Sequence, residues 1–516
     1  MSSQRPKSTI TIVGETPVNT TSEKTILLVG TMLSSGTATS NEIVSDLISD
    51  LEAETFFGKK SIIAAMYKRF REINKKTRVD ILPLTEPIGD PSTASVEFSG
   101  TATASGTLEV QVASAKKGAV SLSIAKGETA SQIATRLNTS LTSLLDALPM
   151  SSGVNTGKVT ITGSQDGVEL NDAFIGVYGT VAGITYTVTE FANGTATPTI
   201  DATIINAIPD DIRYKYVVLS KECMKTLFVT EFEQRFNVEN QLIRGEVIQA
   251  LDGTYANLNS AIDALNNRAE SYLCSKIINF SNAKGVGIRE LTTLAVIDFV
   301  AVSTLALTTD APITSYIPVS AVNAKDSLGG QALASLSYAN RIYPTLPPLL
   351  TNYGFTKAQV DELENSGGIV WQNNRSGLNL TTSEGVTTYK TNAIGVADNS
   401  FKYKNYIDQI TEFEILFNER YYARFGTARL GGNQIRAQRG MVNQQLFEAF
   451  LDELYLESTN EPYILMRAGK EEEKFFKQNR TASLNYSTGK ITWSASTPLV
   501  SQLRNAVGII TMTFNF

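Results

Sequence analysis

The sequence contains no histidine among its 516 residues. Histidine is the usual general base in nucleophilic catalysis and a common zinc ligand. Its absence therefore excludes Ser-His-Asp and Cys-His nucleophile systems, HExxH zinc sites and imidazole acid–base chemistry. Catalysis by paired carboxylates or by a Ser-Lys pair stays open, but it needs positive evidence elsewhere in the chain.

Cysteine is also scarce, and the net charge is mildly negative. The two cysteines, Cys223 and Cys274, form no C-x-x-C pair, which predicts reduced and buried thiols. The net charge of −6 argues against nucleic acid as the main partner. The most apolar window, 291–307, is interrupted by Asp298 and predicts buried core rather than a membrane span. Residues 1–7 lack the apolar stretch of a signal peptide.

Motifs for cofactors and metals are missing as well. The segments 58–61, 157–159 and 489–491 each match only a fragment of a phosphate-binding loop. The acidic clusters 210–211 and 471–473 lack metal-ligand spacing and are typical of solvated turns. We therefore expect no cofactor, no metal and no enzymatic activity.

The first well-patterned region predicts an α/β body. Residues 25–30 (TILLVG) form a continuous apolar run, typical of a strand buried on both faces. A helix is predicted from Ser61, with its cationic side chains, Arg69 among them, on a solvated face. Residues 79–84 are the next strand. The order strand, helix, strand favours a mainly parallel sheet.

Residues 92–203 differ in character, being rich in Thr, Ser, Gly and Ala and poor in charge. Short alternating apolar runs and one helical pattern predict a small β-rich domain inserted into the α/β body. Helix and strand patterns resume at Ile204, and residues 386–391 are predicted as a strand. The last third predicts two long helices and a hairpin over 484–493.

Both ends of the chain carry strand patterns. In 508–516 the apolar residues alternate with Thr511, Thr513 and Asn515, as in a strand with one buried face. Residues 9–13 show a shorter alternation. Each strand needs a hydrogen-bonding partner, which is either the chain's own sheet or a neighbouring copy. In the second case the exchanged arms comprise Thr9, Ile10, Thr11, Ile12, Val13, Ile510, Met512, Phe514 and Phe516.

A basic stretch stands out on this acidic chain. Five arginines lie between Glu419 and Glu448 with no acidic residue among them: Arg420, Arg424, Arg429, Arg436 and Arg439. Two interpretations stay open. The arginines pair with carboxylates of the same chain, or they face an acidic partner.

Several motifs together resemble the tail sheath proteins of contractile-tailed bacteriophages, in particular the Mu type. The residues that carry the resemblance are Phe57-Gly58, Ser61, Ala64, Met66 and Asn74; Thr101 to Ala104 with Gly106 to Leu108; Val386 to Tyr389 with Asn392, Gly395, Asp398, Ser400 and Asp408 to Thr411; and Leu499-Val500 with Gln502 to Arg504. In this order they cover most of the chain.

The resemblance implies a subtilisin-like α/β core with an inserted β-rich domain and extended terminal strand arms. The expected domains are an N-terminal arm (1–24), the sheath core (25–91 and 204–395), an outer inserted domain (92–203), a C-terminal core domain (396–505) and a C-terminal arm (506–516). Without histidine, a subtilisin mechanism is excluded in any case.

The resemblance also implies a structural role. Sheath subunits form stacked hexameric rings around a tail tube, exchange terminal strands and contract to drive the tube through the host envelope. The expected partners are copies of the same chain, the tube protein, and the baseplate and tail terminator proteins. Arg429, Arg436 and Arg439 are candidates for facing the tube. The expected location is the virion tail, assembled in the host cytoplasm, without membrane insertion.

Two functions from other classes remain as alternatives. The Thr- and Gly-rich insert suggests a surface-exposed carbohydrate- or host-binding module, which would bind glycans by itself. A histidine-free hydrolase that uses Ser-Lys or paired carboxylates would react with a serine-directed probe.

Overall fold

A computed structural model describes residues 25–236, 243–280, 283–305, 338–339, 341–350, 353–432, 440–460, 465–487, 489–496 and 499. Its strands are β1 Thr25–Thr31, β2 Val79–Leu84, β3 Pro91–Gly100, β4 Gly106–Val112, β5 Ser114–Ile124, β6 Met150–Asn155, β7 Lys158–Asp166, β8 Ile175–Tyr178, β9 Ile184–Ala192, β10 Tyr214–Leu219, β11 Glu246–Gly253, β12 Glu270–Phe280, β13 Ala283–Val286, β14 Gly368–Asn373, β15 Leu380–Thr382, β16 Arg429–Leu430, β17 Met441–Val442, β18 Thr481–Asn485 and β19 Lys490–Ser494.

The α-helices among these residues are α1 Asp50–Phe57, α2 Ile62–Ile73, α3 Ala130–Leu144, α4 Ala202–Asn206, α5 Thr226–Gln234, α6 Tyr255–Asp263, α7 Thr292–Ser303, α8 Lys357–Ser366, α9 Lys404–Phe425, α10 Gln444–Thr459 and α11 Lys470–Asn479. The window 291–307, predicted as core, contains α7, and every residue of that helix is buried.

The body is built on one large sheet with the strand order β15-β14-β12-β11-β10-β1-β2, and β13 pairs with β12. The ladders from β2 to β14 are parallel, whereas those of β13 and β15 are antiparallel. The predicted mainly parallel sheet is therefore confirmed. Apolar clusters cover both faces, with α2 and α7 on one face and α4 and α5 on the other.

Helix α2 shows how the sequence sets this packing. The Ser61 hydroxyl accepts a hydrogen bond from the N–H of Ala64 (3.2 Å) and caps the helix. The predicted apolar face is buried against the sheet. Arg69, predicted as solvated, is only 5% exposed. The prediction for Arg69 was wrong because its guanidinium forms two hydrogen bonds (2.6 and 2.7 Å) with Asp298 of α7, which lies far away in sequence.

A second buried polar cluster joins α9 to the amino ends of the central strands. Lys215 Nζ lies 2.8 Å from the carboxylate of Asp408, and the Tyr338 hydroxyl donates to the same group (2.6 Å). Lys404 forms an ion pair with Glu246 at the start of β11. Burying such charges is tolerated only when each is paired, so these contacts fix the position of α9 on the sheet.

The inserted residues form two smaller sheets, with the orders β6-β7-β3-β9 and β5-β4-β8, and α3 packs against both. The two connections to the body lie side by side. The N–H of Thr195 donates to the carbonyl of Asp90 (3.0 Å), and the N–H of Asp90 donates to the Thr195 hydroxyl (2.8 Å). Adjacent ends of this kind allow a domain to be inserted without disturbing the host sheet.

One predicted strand was wrong. Residues 386–391 form an irregular segment with isolated bridges only, Val386 to Tyr403 and Thr391 to Ala397. The Thr387 hydroxyl donates to the carbonyl of Phe401 (2.7 Å), and the Thr388 N–H donates to that of Glu270 (2.9 Å). These contacts replace a strand ladder, and they hold the segment against the start of β12.

Candidate functional site

The predicted strand arms lie outside the described residues. This applies to both sets of arm residues, Thr9 to Val13 and Ile510 to Phe516, and also to Arg436 and Arg439. Their roles therefore stay predictions. Arg429 is the one tube-facing candidate that the structure describes.

The arginine stretch divides into two parts. Arg420 Nε lies 3.0 Å from each carboxylate oxygen of Glu457, and Arg424 forms an ion pair with Glu453. Both glutamates belong to α10, so the intramolecular interpretation is correct for these two arginines. Arg429 is exposed and has no ion pair with any residue that the structure describes.

Strands β18 and β19 form an isolated two-stranded hairpin, paired from Thr481–Ser494 to Asn485–Lys490. One face packs on the C-terminal apolar cluster, where Ala482 and Ile491 are buried and the ring of Trp493 stacks on Phe417 with centroids 4.6 Å apart. The other face is exposed.

Among the described residues the two strands of this hairpin form a ladder only with each other, and no third strand joins either of them. A two-stranded ribbon alone is marginal in water, and unpaired edge groups accept further strands readily. The hairpin is therefore a candidate site for strand addition.

The turn of the hairpin contacts the end of β16, the short strand that begins at Arg429. The Tyr486 hydroxyl donates to the carbonyl of Gly431 (3.2 Å), directly after β16. Arg429 opens β16, and its N–H donates to the carbonyl of Gly440 (2.8 Å). The exposed Arg429 and the hairpin thus belong to one connected surface, although sequence reasoning treated them separately.

The carboxyl ends of β1 and β10 mark the place where an open α/β sheet normally binds a ligand. From β1 the chain continues to β2 on one side, whereas β10, β11 and β12 extend the sheet on the other side. Such a topological switch point leaves a crevice in most doubly wound folds. Here the crevice is the natural place to search for an active site.

The insert fills that crevice. Gln165 Oε1 accepts a hydrogen bond from the N–H of Ile62 (2.6 Å), in the first turn of α2, where an anionic ligand would otherwise bind. Glu169 accepts from the N–H of Glu222 (2.9 Å) and from the Thr293 hydroxyl. The Thr31 hydroxyl at the end of β1 donates to Glu222 (2.8 Å). Sequence reasoning missed this cluster because its members follow no spacing pattern.

The electrostatics of the crevice are those of a packed interface. Lys221 is shared between Asp172 of the insert (2.6 Å) and Asp252 of β11 (3.1 Å). Burial would lower the pKa of Lys221, but these two carboxylates outweigh burial and raise it. Burial, followed by repulsion from Glu169, raises the pKa of Glu222 to about 8.

Three features of the described residues bear on catalytic chemistry: a buried thiol, a small cavity and the placement of the carboxylates. Burial raises the pKa of the Cys223 thiol, so Cys223 is not a reactive thiolate. A cavity beside Phe355 and Trp371 has a volume of about 10 Å³, room for roughly one water. Within the described ranges, no three Cys, Asp or Glu side chains are grouped so that they could hold a metal ion. In the same ranges no helix combines the length and apolarity needed to cross a bilayer.

The surface of the insert bears on the carbohydrate-binding alternative. Its aromatic residues are Phe98, Phe174 and Phe191, which are buried, and Tyr178 and Tyr186, which are half-buried. Stacking on a sugar needs an exposed ring. The insert offers none, so glycan recognition by stacking has no platform there.

A curated relative matches part of the chain. The tail sheath protein of the Mu-like prophage FluMu of Haemophilus influenzae is 29% identical over 185 residues. The match spans 35% of this chain and 37% of that protein, a little over one third of each. No protein-family model matches the sequence.

Solved structures with overall likeness include the sheath tail protein Lin1278 of Listeria innocua, with 12% identity and a TM-score of 0.42 over 96% of this chain and 94% of that one. The helical sheath of the anti-feeding prophage in its contracted state has 10% identity and a TM-score of 0.41, over 98% and 97% of the two chains. All TM-scores are below 0.5, so the fold assignment rests on the strand order described above. The sequence match confirms the resemblance read from the motifs: this chain is similar to a Mu-type phage tail sheath protein.

Proposed function

We propose that this chain is the structural subunit of a contractile phage tail sheath. Copies polymerise as stacked hexameric rings around the tail tube, exchange terminal strands and contract to drive the tube through the host envelope. The role is structural and not catalytic, and it involves neither nucleic acid nor membrane insertion. The partners are further copies, the tube protein, and the baseplate and terminator proteins, in a virion tail assembled in the host cytoplasm.

The observation that best supports this proposal is the two-stranded hairpin of β18 and β19. The chain has strand patterns at both ends, and within the described residues the hairpin is a sheet of two strands with one face covered by α10. Pairing an arm on each edge would turn a marginal ribbon into a four-stranded sheet. Such pairing between copies would produce a mesh of main-chain hydrogen bonds.

The mesh accounts for contraction in physical terms. Main-chain pairing holds neighbouring copies together while the arm bases let the bodies rotate as rigid units. Free energy stored in the extended lattice at assembly would drive the movement, so no nucleotide site is needed. In this scheme the subtilisin-like core is 25–91 with 204–395, the outer domain is 92–203, and 396–505 supplies the acceptor hairpin. Residues 1–24 and 506–516 are the arms.

Strand exchange can be tested by thiol cross-linking between separately labelled copies. Ser483 and Thr492 are exposed on the hairpin, and Thr513 is polar in the arm pattern. If Met512 and Phe514 join Ala482 and Ile491 on the buried face, Thr513 falls on the face of Ser483 and Thr492. Mixing S483C or T492C protein with T513C protein should therefore give cross-linked dimers in assembled particles.

The background is favourable, because both native cysteines are buried. A matched control is S131C, on the exposed side of α3 in the insert, which should not link to T513C. If T513C links only within a doubly substituted chain and never between mixed copies, the arm folds back on its own body. That result would contradict the exchange mechanism.

A further inference from the structure

The contact between the insert and the body contains two carboxyl groups that meet inside the protein. Glu169 comes from the segment after β7, and Glu222 comes from the turn after β10. The backbone N–H of Glu222 donates to Glu169 Oε2 (2.9 Å), so the Glu169 carboxylate lies against the backbone of Glu222. Glu222 is buried and Glu169 is half-buried, and two neighbouring like charges in such surroundings cannot both ionise cheaply.

The two carboxyl groups are not equivalent. Burial raises the pKa of Glu169, and the hydrogen bonds that it receives from the Thr293 hydroxyl and the Glu222 N–H offset part of that effect. Glu222 is 4% exposed, and only its Oε1 is bound, by Thr31. Its Oε2 is buried and has no partner among the described residues. An ionised carboxylate with a bare buried oxygen is costly, so Glu222 fits this position as the neutral acid.

The surrounding charges favour the same assignment. The insert side contributes Asp166 and Asp172, and the body side contributes Glu86 and Asp252. The start of α7 adds only uncharged threonines. Lys221 is the cation facing this group in the described structure, and it is already shared between Asp172 and Asp252. Little positive charge is left to stabilise a second carboxylate.

We propose that this contact is a pH-sensitive latch, which keeps the insert docked on the carboxyl edge of the sheet while Glu222 is protonated and releases it when Glu222 ionises. Release frees Gln165 from the first turn of α2 and the insert segment from β10. The sheet itself stays folded, since the Arg69–Asp298 pair and the α9 cluster are separate from the contact. This latch does not depend on the sheath role.

The direction of the pH effect follows from linkage. Burial and Glu169 raise the pKa of Glu222 from 4.5 to about 8 in the docked state. A carboxyl group with a raised pKa stabilises the docked state fully below its free pKa and loses that contribution as pH rises toward the docked value. Between these values the ratio of open to docked molecules rises by up to about tenfold per pH unit.

Hydrogen exchange of the full-length chain tests the latch. Backbone amides of 160–175 and 218–225, corrected for the intrinsic pH dependence of exchange, should lose protection by at least about tenfold between about pH 5.5 and 8.5. Glu222→Gln keeps an acceptor for Thr31 but cannot ionise. It should retain its protection at the higher pH.

Glu128→Gln is the matched control, because Glu128 belongs to the insert, pairs with Arg136 and lies in a different contact. Its pH profile should equal that of the unmodified chain. Should Glu222→Gln fail to fold, Glu169→Gln serves as the second variant, since removing the neighbouring charge lowers the docked pKa of Glu222 toward its free value and should reduce the loss of protection between about pH 5.5 and 8.5. Equal pH dependence in the unmodified chain and in the variant that folds would overturn the latch.

Discussion

At the residue scale, the best-defined single position is Gly367, which ends α8 with φ at +104°. A Cβ at this position would lie 2.6 Å from Thr388 Cα and 2.8 Å from the carbonyl of Thr387. Gly367 thus lets the irregular segment 386–391 approach the helix end. The segment Val386 to Tyr389, one of the motifs that resemble sheath proteins, therefore depends on a glycine at position 367.

Gly367→Ala should therefore destabilise the chain through two effects. The left-handed backbone conformation costs about 1–2 kcal/mol for a residue with a Cβ. The clash with backbone atoms adds about 1–3 kcal/mol. We expect the midpoint of urea unfolding of the unassembled chain to fall clearly below that of the parent.

Gly377→Ala is the matched control for that measurement. Gly377 also has a positive φ, +72°, but nothing lies within 4 Å of an added Cβ. Only the backbone effect, about 1–2 kcal/mol, should remain. Equal losses in the two variants would mean that the contact with 387–388 contributes nothing to stability.

Residue-scale prediction from the sequence was accurate for local signals and failed for distant ones. Ser61 was recognised as a helix start, and its side-chain oxygen caps α2. Arg69 was assigned to solvent because its partner Asp298 is 229 positions away. No sequence pattern marked Glu222 as a special position, because its neighbour Glu169 belongs to the insert and lies 53 positions away in sequence.

At the element scale, strands with apolar runs were predicted well and polar segments poorly. The hairpin predicted over 484–493 is confirmed as β18 and β19. The segment 386–391 has strand-like composition. Its threonine hydroxyls, however, donate to the backbone carbonyls of Phe401 and Asn267, and these side-chain bonds take the place of a strand ladder. Alternation alone cannot distinguish these outcomes. That the hairpin forms a sheet of two strands within the described residues is, likewise, visible only once the sheets are known.

The three candidate tube-facing arginines, which lie in 429–439, provide a prediction at this scale. If Arg429, Arg436 and Arg439 face an acidic tube protein, reversing all three to glutamate should weaken tube-guided assembly. The effect should be larger at low salt, because exposed charges are screened over about 8–10 Å near physiological ionic strength. Sheath length on purified tubes, measured by electron microscopy at two salt concentrations, checks this.

Arg420 and Arg424 supply the control for charge reversal. Both are paired with glutamates of α10 at the surface, where such pairs are worth about 0–1 kcal/mol. Reversing these two should leave tube-guided assembly close to normal. If reversing Arg420 and Arg424 impairs assembly as strongly as the triple reversal does, the net charge of the chain is responsible and not a surface that faces the tube.

At the scale of the whole molecule, the order of elements predicted a mainly parallel sheet, and the sheet has that form. What the order could not predict is how the insert fills the crevice at the switch point. That arrangement follows from side chains such as Gln165 and Glu169, which meet α2 and α7 only in three dimensions. The insert thereby occupies the place where an open α/β sheet often binds a ligand.

The whole-molecule prediction concerns the C-terminal arm. Deleting 510–516 removes a candidate donor strand and none of the residues that the structure describes. The truncated chain should therefore keep the thermal stability of an unassembled subunit while losing the ability to form long particles. Each lost arm removes several main-chain hydrogen bonds between copies, worth roughly 0.5–1.5 kcal/mol apiece, and this loss recurs at every subunit of a polymer.

Light scattering and negative-stain microscopy measure particle size directly. A variant in which Thr511 and Thr513 are replaced by serine keeps the alternation and should assemble normally. Large particles formed by the truncated chain would rule out the donor role, because assembly would then rest on contacts between bodies alone.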